Sequence, residues 1–551
     1  MKPTSTAIVP QYLRSRMGKV CVAITGDSAA EMVEKATAGI KENPFIEFRL
    51  DYLPNPLAAL PRLKQFLTDR SEATAVATCR RAANGGKFKG TLAQELEVLQ
   101  KAAESGFELV DIELQTAESV KRGEVAKLRE LGAAVIVSYH DFEATRDLDE
   151  IFERCLKLQP EFIKIVPTAK SLSDNVTLMR LMERVADQAS IIGICMGDYG
   201  VISRVLGLRA GSIFTFAAAT PGEETGPGQI AARTLVETYR IEQVDQATRV
   251  YGVAGNPVKH SLSPVMMNTA FRRETVNAVY LALQTSKLSD LIKLVNEIPL
   301  QGLSVTMPFK TGIIKYLAKT DPLSAKIGAC NTVVRAQDGK LYGFNTDVGG
   351  IVGPLEKRLP LRGAKILVIG AGGAGRAAVF GLKERGAEIF ILNRTAETAQ
   401  KLARKAGAKT IRKDALVKTQ FDVIINATPI GQAGYKVQSW LEPQDLNTNF
   451  VFDLVYNPIE TPLIRMARQK NIPIITGVEM FVQQGARQFE IWTGKPAPEE
   501  EMLRVVIHAL RQQAEQAALE APVVKAEPKV VARPKAAVKA KPAKKVKKKK
   551  R

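Results

Sequence analysis

Short apolar runs recur along the first half of the chain, and each is followed by a turn and a longer amphipathic stretch. Eight such runs occur at spacings of roughly 25 to 30 residues, so each gap can hold one helix. Eight strand–helix units predict a (β/α)₈ barrel. The runs begin at Lys19, Phe45, Ala73, Phe107, Ala133, Phe162, Ala189 and Ser212.

The pattern changes in the second half of the chain. We interpret Glu237 to Arg249 as a closing helix and a linker. A new strand, RVYGVAG, then starts at Arg249, and another, GAKILVIG, starts at Gly363 and runs directly into a glycine-rich turn and a helix. Further strands are predicted to start at Tyr280, Gly302, Glu388, Asp422, Phe450 and Ile472, and a helix is predicted from Glu499 to Ala518.

These elements predict an α/β protein with two folded halves and a tail. The first half is the barrel, at residues 19–238. The second half has two α/β lobes, at 249–345 and 346–475, and helices at 476–518 that return to the first of these lobes. Residues 519–551 are rich in Lys, Ala and Pro and cannot form a core, so we predict that they are disordered.

The positive charge of the chain is unevenly distributed. The net charge is +21, and residues 521–551 hold 13 Lys and Arg against a single acid, which leaves about +9 for the rest of the chain. A moderately basic body suits anionic substrates. The tail has no aromatic side chains for base stacking, so nucleic-acid contact is expected to be weak, electrostatic and confined to the tail.

Cysteine usage and hydropathy indicate the cytoplasm. The five cysteines are scattered and form no CxxC pair, so the sequence predicts neither a disulfide framework nor a zinc site, and no metal is expected. No apolar run is long enough to span a membrane. Met1 to Gly18 is basic and lacks acids, which leaves a short organelle-targeting function, such as plastid import, open as the less favoured alternative.

Polar residues fall late in six consecutive predicted barrel strands. Barrel enzymes place their chemistry at the carboxyl ends of the strands, so these residues predict one site. They are Glu47, Arg49 and Asp51, then Arg80, then Asp111 and Glu113, then His140 and Asp141, then Lys164, and finally Arg204.

Lys164 and His140 are the residues in this set that indicate a reaction. Strand alternation gives Lys164 the inward neighbours Phe162 and Val166. Burial beside cations favours the neutral amine that Schiff-base chemistry needs. Taken alone, a lysine paired with a carboxylate and a hydrogen-bonded core histidine are the simpler interpretations. At one end of one barrel, the two residues indicate imine formation and proton transfer at carbon.

Six strings in residues 19–235, EFRLD, TCR, SYHDF, FIKIV, MGDYGVISR and ETGPGQI, resemble type I 3-dehydroquinate dehydratase. The resemblance implies that Lys164 forms an imine with the substrate ketone. It implies that His140 removes the adjacent carbon proton and later protonates the leaving hydroxyl, and it makes Asp111 the candidate to orient His140. The residues that would hold the substrate are Arg204 and Gln229, Thr225 where many relatives have serine, and Glu47, Arg49 and Arg80.

One departure from this family concerns Asn84. Relatives usually carry a glutamate before the paired glycines that follow the third strand, and this chain has Asn84 before Gly85 and Gly86. Loss of a carboxylate near His140 would lower the rate of this half or leave it impaired, and both outcomes remain open.

The second half carries a dinucleotide signal. The turn GAGGAG follows an apolar strand and opens a helix, which lets a pyrophosphate approach the helix N-terminus. The residues of this turn that are expected to contact the cofactor are Gly370, Gly372, Gly373 and Ala374. After the next strand, where NAD-binding folds place an acid, the chain has Asn393, Arg394 and Thr395. A cation there favours the 2′-phosphate of NADP.

Lys310 and Asp347 are the candidates for chemistry in this half. Each taken alone is more often a surface charge, but an ammonium and a carboxylate together can pass a proton to an alkoxide as hydride arrives. Ser261 and Ser263 in HSLSP suit a substrate carboxylate, and a helix N-cap is the simpler alternative.

Residues 249–515 resemble shikimate dehydrogenase in the strings GNPVKHSLSP, GLSVTMPFK, GACNTV, GFNTD, GAGGAGR, NRT, NATPIG, DLVYNP, TPL and GVEMFVQQ. The resemblance implies NADP(H) as cofactor and Lys310 with Asp347 as the catalytic pair. Ser304 stands where the family usually has asparagine, which puts one hydroxyl contact in doubt. The implied substrate contacts are Ser261, Ser263, Thr306, Asn331, Tyr456 and Gln484, and the implied contacts on the nicotinamide side are Thr428 and Gly477.

The two resemblances imply consecutive steps of the shikimate pathway: dehydration of 3-dehydroquinate to 3-dehydroshikimate, then its reduction to shikimate with NADPH. Both serines of HSLSP are present, which favours shikimate over quinate as the alcohol. Three alternatives stay open. Only the dehydrogenase half is fully active, or the chain is a quinate/shikimate dehydrogenase with an impaired barrel, or it is a nucleic-acid-binding or scaffolding protein guided by its tail.

Overall fold

A computed structural model of the chain describes residues 7–259, 261–436 and 439–520. The described residues up to Leu510 form one compact unit, and the described part of the second unit, from Arg511, is the end of a helix. The predicted disordered tail was expected from residue 519, but residues 519 and 520 belong to a helix, and the rest of the tail lies outside the described residues. Within the described part, no helix is both long and apolar enough to cross a membrane.

The first half is a near-closed barrel of eight parallel strands, as the apolar runs predict. The first seven strands pair in order, the first also pairs with the eighth, and Ile213 N, just before the eighth strand, donates to Ile191 O in the seventh at 2.9 Å. The strands are β1 Val20–Ile24, β2 Phe45–Arg49, β3 Thr74–Thr78, β4 Leu109–Glu113, β5 Ala134–His140, β6 Phe162–Val166, β7 Ile191–Gly193 and β8 Thr215–Ala218. The helices are α1 Gln11–Arg16, α2 Ala29–Gly39, α3 Pro56–Asp69, α4 Leu92–Glu104, α5 Leu114–Ser119, α6 Arg122–Glu130, α7 Leu148–Leu156, α8 Leu172–Val185 and α9 Val201–Leu206.

Strand alternation divides the barrel interior into two layers. Near the amino ends of the strands the inward residues are apolar and form one buried cluster, which includes Phe45, Phe162 and Phe214. Two residues further along the same strands, the inward positions hold buried polar side chains such as Glu47 and Lys164. The apolar layer is therefore the floor of a polar pocket at the carboxyl ends.

Helix α1 closes the amino end of the barrel. Val9 and Leu13 are buried in the apolar interior cluster. Arg16 donates hydrogen bonds of 2.7 Å to the backbone oxygens of Ser71 and Ala73. The described part of the segment Met1 to Gly18, for which organelle targeting is the less favoured alternative, is thus packed against the barrel.

The segment from Glu237 to Arg249, expected to hold a closing helix and a linker, contains short helical turns and no continuous helix. A π-helical turn spans Thr234–Thr238 and a 3₁₀ turn spans Ile241–Gln243. Between them Arg240 has a φ of 49°, a left-handed conformation that a continuous right-handed helix cannot contain.

The first lobe of the second half is built on a mixed six-stranded sheet. The strand order is β10-β9-β11-β13-β14-β12, in which β9, β10 and β11 run parallel and β13 turns antiparallel. The sequence did not predict the short strands β12, β13 and β14. The elements are β9 Arg249–Gly255, α10 Ser263–Arg273, β10 Ala278–Gln284, α11 Leu288–Glu297, β11 Gly302–Val305, β12 Lys319–Thr320, α12 Pro322–Ile327, β13 Thr332–Arg335 and β14 Leu341–Phe344.

The second lobe is an all-parallel sheet in the order β17-β16-β15-β18-β19-β20. The chain direction across the sheet reverses at β15, which is where open α/β sheets bind ligands. The last two helices pack against the first lobe, because Val478, Phe489 and Val506 share a core with Tyr251. The elements are α13 Asp347–Glu356, β15 Lys365–Ile369, α14 Gly373–Glu384, β16 Glu388–Leu392, α15 Ala396–Ala406, β17 Lys409–Thr410, β18 Phe421–Asn426, β19 Thr448–Asp453, α16 Pro462–Gln469, β20 Ile474–Ile475, α17 Gly477–Thr493 and α18 Glu499–Glu520.

Helix α11 of the second half joins the barrel through α8. Asp290 on α11 accepts hydrogen bonds from Leu172 N at 2.9 Å and from Ser173 N and Oγ at 3.3 and 2.9 Å. Because these backbone donors are in the first turn of α8, a carboxylate from one half caps a helix of the other. Arg180 and Glu297 form an ion pair along the same two helices.

Replacing Leu13 by alanine is expected to lower the free energy of unfolding of the barrel by about 2 to 5 kcal/mol, because a fully buried leucine would leave a cavity. Urea and thermal unfolding followed by circular dichroism measure the change. The matched control is Tyr12→Ala, which removes a side chain that is 55% exposed from the same helix. A Leu13→Ala effect no larger than that of the control would contradict the role of α1.

Candidate active sites

The barrel pocket is centred on a buried ion pair between Lys164 and Asp111. Lys164 Nζ donates to Asp111 Oδ2 at 2.8 Å and lies 3.8 Å from the centre of the Phe216 ring. Arg80 Nη2 bonds the other carboxylate oxygen at 2.8 Å. Burial opposes the charge of Asp111, but Lys164 and Arg80 overcome it and hold its pKa well below the ordinary value. The carboxylate that pairs with Lys164 is therefore Asp111, inside the pocket where imine formation is expected.

His140 is held by Glu113. Glu113 Oε2 lies 2.9 Å from His140 Nδ1, and its Oε1 accepts from the His140 backbone N at 3.0 Å. Burial, and then the charge of Arg80, lower the pKa of His140 to about 4, so the ring is neutral at pH 7. A carboxylate can only accept, so Nδ1 carries the proton and Nε2 keeps a free lone pair.

The expectation that Asp111 orients His140 is wrong. Both carboxylate oxygens of Asp111 accept hydrogen bonds, from Lys164, Arg80 and Ser138. The next inward residue of β4, Glu113, bonds the histidine. Positions 111 and 113 face the same side of β4, so the strand period does not distinguish them; in the sheet Glu113 pairs with Ser138, two residues before His140, whereas Asp111 pairs with Ile136.

Asn84 does not contact His140. Its Oδ1 accepts from Arg81 Nη2 and its Nδ2 donates to Gln115 Oε1, both at 3.1 Å. The carboxylate that the family supplies before the paired glycines is therefore absent, but His140 has a carboxylate partner in Glu113.

Arg204 is a buried cation without a counter-ion in the described part of the chain. Its guanidinium donates to Pro227 O at 3.1 Å, and its Nε has no partner. Burial lowers its pKa to about 10. Gln229 Oε1 accepts from Thr225 N and Oγ1 at 2.7 and 3.2 Å, which leaves the Gln229 amide N–H groups to donate elsewhere. A buried cation in this state suits an anionic ligand.

Glu47 and Arg49 point into the barrel but are already engaged. Glu47 accepts from Thr78 Oγ1 at 2.6 Å. Arg49 donates to both oxygens of Asp51 at 2.9 and 2.8 Å. Both side chains therefore already have hydrogen-bond partners within the protein.

The second site is organised around Asp347. Lys310 Nζ donates to Asp347 Oδ2 in a short contact. Asn331 Nδ2 bonds Asp347 Oδ1 at 2.7 Å and lies 3.3 Å from Gln484 Oε1. Four of the predicted residues are thus linked in one network, which joins the start of α13 to α17 and to the loop after β11.

Ser261, Ser263 and Tyr456 form a neighbouring group. Ser263 N donates to Ser261 Oγ at 3.2 Å, and the Ser261 hydroxyl lies near the Tyr456 side chain. The Tyr456 ring stacks on Phe481 at 4.4 Å. Thr306 follows β11 and is partly buried beside Gly255, where an added Cβ would lie 2.4 Å from the threonine methyl.

Tyr280 and Gln488 are linked to this site, although no sequence pattern predicted either residue. Tyr280 Oη donates to Ser304 Oγ at 2.5 Å, and Ser304 donates to Gln488 Oε1 at 2.7 Å. Gln488 Nε2 continues to Thr332 Oγ1 at 3.0 Å. The hydroxyl of Ser304 is therefore occupied within the protein. Gln488 lies four residues after Gln484 on α17, a spacing that places both on one helix face and that could have identified it.

The glycine turn fits a dinucleotide. Gly370 has a φ of 109°, and a Cβ on Gly375 would lie 2.1 Å from Gly370 O, so the helix packs directly against the turn. A Cβ on Gly372 would meet open space, and α14 has no side-chain cap for its first N–H groups. These free donors at a helix N-terminus suit a pyrophosphate. A Cβ on Gly373 would lie 2.9 Å from Lys310 Cδ, so the turn adjoins the second site, and Ala374 continues the first turn of the helix.

Asn393 and Thr428 hold the loops beside this turn. Asn393 Oδ1 accepts from Ala371 N at 3.2 Å, and its Nδ2 donates to Thr395 O at 2.9 Å. Arg394 is exposed and has no ion pair in the part of the chain that the structure describes. A Cβ on Gly370 would lie 2.9 Å from the Thr428 methyl, and a Cβ on Gly477 would lie 2.4 Å from Val455 O. Across the described residues, no cluster of His, Cys, Asp and Glu could hold a metal ion.

Family comparisons cover almost the whole described chain. The type I 3-dehydroquinase family matches residues 20–246. The shikimate dehydrogenase substrate binding domain matches 253–333, the shikimate / quinate 5-dehydrogenase family matches 355–460, and the shikimate 5′-dehydrogenase C-terminal domain matches 477–507.

Individual relatives agree with these matches. The chain is 34% identical over 515 residues to the chloroplastic bifunctional 3-dehydroquinate dehydratase/shikimate dehydrogenase of Arabidopsis thaliana, covering 87% of this chain and 83% of the relative. It is 40% identical over 277 residues to a shikimate dehydrogenase (NADP(+)) of Pyrococcus furiosus, covering 49% of this chain and 99% of the relative. A crystal structure of shikimate 5-dehydrogenase from Thermus thermophilus in complex with NADP(H) and shikimate has 34% identity and a TM-score of 0.45, covering 48% of this chain and all of that one.

His140 is expected to stay neutral from about pH 5.5 to pH 8, since its pKa in the folded protein is about 4. The unfolded histidine, with a pKa near 6.5, takes up its proton first, so the stability that neutral His140 contributes is present above about pH 6.5 and is lost as the pH falls towards 4. Carbon-13 labelling of histidine allows each ring to be titrated by NMR, because the chain has three histidines. His140→Gln assigns the signal, and a midpoint near 6.5 would show the pKa to be unperturbed.

Proposed function

This chain belongs to the family of bifunctional 3-dehydroquinate dehydratase/shikimate dehydrogenases, and from this premise we propose which side chains carry out its two reactions. The chain dehydrates 3-dehydroquinate to 3-dehydroshikimate through a lysine Schiff base, and it reduces 3-dehydroshikimate to shikimate with NADPH. The observation that best supports the division of roles is that a buried lysine and a neutral histidine share the barrel pocket, while a lysine–aspartate pair adjoins the glycine turn.

Lys164 and His140 carry out the dehydration in this proposal. The Lys164 amine adds to the substrate ketone, and loss of water gives the imine, which acts as an electron sink. His140 Nε2 takes the proton from the adjacent carbon and then returns it to the hydroxyl, which leaves as water. Hydrolysis of the imine releases 3-dehydroshikimate and restores the amine, so the net change is the loss of one water.

The substrate of the barrel is an anion, and Arg204 is its proposed partner. Arg204 is buried with an unpartnered Nε, so a carboxylate would supply the missing acceptor. Gln229 and Thr225 are proposed to bond substrate hydroxyls, and Arg80 to contribute its charge at the edge of the Lys164 site. Glu47 and Arg49 are proposed to shape the pocket wall.

Lys310 and Asp347 carry out proton transfer in the second half of this proposal. When bound, NADPH supplies the hydride. The Lys310 ammonium, paired with Asp347, donates a proton to the substrate oxygen as negative charge develops there. Ser261, Ser263 and Tyr456 are proposed to hold the substrate on one side, and Thr306, Asn331 and Gln484 on the other.

The cofactor is proposed to lie along the glycine turn, with its pyrophosphate at Gly372, Gly373 and Ala374 beside Gly370. Arg394, flanked by Asn393 and Thr395, is the proposed contact of the 2′-phosphate, because it is an exposed cation with no ion pair in the described residues. Thr428 and Gly477 are proposed to contact the nicotinamide side. Ser304, whose hydroxyl is already bonded on both sides, is not proposed as a direct contact.

The compartment and the macromolecular partners of the chain are also proposals. We propose a cytoplasmic location because all five cysteines are free thiols, although the Arabidopsis relative is named chloroplastic. We also propose that any contact with nucleic acid is weak, confined to residues 521–551 and abolished by salt.

Purified full-length protein with 3-dehydroquinate and NADPH, and no other enzyme, is expected to consume NADPH and form shikimate. Lys164→Ala should lower that rate by more than about 1,000-fold while leaving the reduction of added 3-dehydroshikimate intact, because only the imine step is removed. Absorbance at the nicotinamide band and chromatography of the product measure both. If the parent enzyme reduces added 3-dehydroshikimate but does not act on 3-dehydroquinate, the barrel is impaired.

Glu113→Gln is expected to lower the dehydration rate by about 10- to 100-fold through misplacement of His140. Glu113 accepts from two donors on His140, the ring Nδ1–H and the backbone N–H. An amide replaces one oxygen by an NH₂ group, which either faces the backbone N–H or moves the ring proton to Nε2 and removes the base. Steady-state kinetics of 3-dehydroquinate turnover measure the loss.

Two further variants separate this role from general damage. Glu161 is a buried carboxylate at the opposite end of the barrel that bonds Val135 N and Arg129, so Glu161→Gln should leave the rate within about threefold of the parent. Asn84→Glu should also have little effect if Glu113 suffices. A large gain from Asn84→Glu in a nearly inactive parent would instead favour the impaired barrel.

A further inference from the structure

Asp453 is a fully buried carboxylate that neither proposed reaction uses. It ends β19, beside Asn426 on β18, and accepts hydrogen bonds from Asn426 Nδ2 at 2.9 Å, Val455 N at 3.1 Å and Thr461 Oγ1 at 2.6 Å. No Lys, Arg or His of the described residues pairs with it. A buried carboxylate that is held only by neutral donors is costly to maintain, so its position calls for a reason.

Asp453 fixes the orientation of the Asn426 amide. Because an ionised carboxylate can only accept, the Asn426 NH₂ must face it, and Oδ1 must point the other way. Oδ1 then accepts from Thr428 N at 3.1 Å and Thr428 Oγ1 at 2.7 Å. Asn426 Nδ2 also donates to Ile430 O at 3.1 Å. The conformation of the loop from Asn426 to Ile430 therefore depends on which way one amide points.

Asp453 also holds the loop that carries Tyr456. Its Oδ1 accepts from Val455 N, and the Val455 oxygen lies so close to Gly477 that a Cβ there would be 2.4 Å away. The next residue, Tyr456, is the aromatic ring that stacks on Phe481. One carboxylate is thus bonded to Asn426 at the end of β18 and to Val455 just after β19.

We propose that Asp453 is a positioning residue for the reduction: through Asn426 it sets Thr428 against the cofactor, and through Val455 it sets Tyr456 against the substrate. This inference rests on the proposed roles of Thr428 and Tyr456. The side chains and backbone groups that face Asp453 carry no charge. They are Asn426 at the end of β18, Thr461 at the N-cap of α16, and Val455 two residues further along the chain. Burial raises the pKa of Asp453 to about 6, so the charge that strengthens these bonds is lost at mildly acid pH.

The first experiment compares Asp453→Ala with Asp422→Ala. Asp422 lies at the opposite end of β18 and also accepts from one backbone N–H and one asparagine amide, those of Lys365 and Asn449. In Asp453→Ala, the dissociation constant of NADP⁺, measured by calorimetry, and the KM of shikimate are each expected to rise about tenfold, since the amide is free to rotate. Asp422→Ala should change neither. Folded Asp453→Ala protein with both values unchanged, or equal losses in the two variants, would overturn the proposal.

Asp453→Asn keeps the test decisive if the alanine variant does not fold. Its amide oxygen can still accept from Asn426 and Val455, so NADP⁺ affinity at pH 7.5 should stay within about threefold of the parent. Between pH 7.5 and pH 5, the parent should lose more affinity than Asp453→Asn, because the titration of the cofactor phosphate is common to both proteins. Identical pH profiles would overturn the proposal. A parent that does not bind NADP⁺ at all would instead contradict the proposed function of this half.

Discussion

A buried charge is costly unless an opposite charge or hydrogen-bonding groups stabilise it, and the two sites are built from such partners. In the barrel, Lys164 and Arg80 face Asp111 and Glu113, so two cations and two carboxylates sit together inside the apolar walls. Matching fixes the geometry, because removing one partner would leave a charge that burial penalises strongly. Arg204 has no carboxylate partner in the described part of the chain, and this is the basis of its proposed contact with an anionic substrate.

The second half meets the same constraint with neutral groups as well as ions. Asp347 is matched by Lys310 and by the amide of Asn331, whereas Asp453 is matched only by amide and hydroxyl donors. The difference is consistent with their proposed work, since a group that passes protons needs a titratable partner and a group that holds loops does not. Amides recur here because one side chain both donates and accepts, and can therefore transmit an orientation from strand to strand.

The alternation of apolar and polar residues predicted much of this architecture. All eight barrel strands lie where the apolar runs begin, and the glycine turn follows a strand and opens a helix as expected. The strands of the three sheets fall within residues 19–238, 249–345 and 346–475. Four strands were not predicted because they are only two to four residues long, too short to show the alternation of apolar and polar residues. They are β12, β13, β14 and β17. The choice between Asp111 and Glu113 as the partner of His140 depended on strand register, which sequence alone does not contain.

Because Asp290 caps α8, the two halves of the chain stabilise each other through a direct contact. If the chain were cut between them, the first turn of α8 would lose a carboxylate partner and Asp290 would lose three hydrogen bonds. The faces of α8 and α11 now in contact would also meet water. Two separately expressed pieces would therefore each begin with a defect that the intact polypeptide does not have, and gene-splitting experiments on this enzyme would measure that damage together with any effect of separating the catalysts.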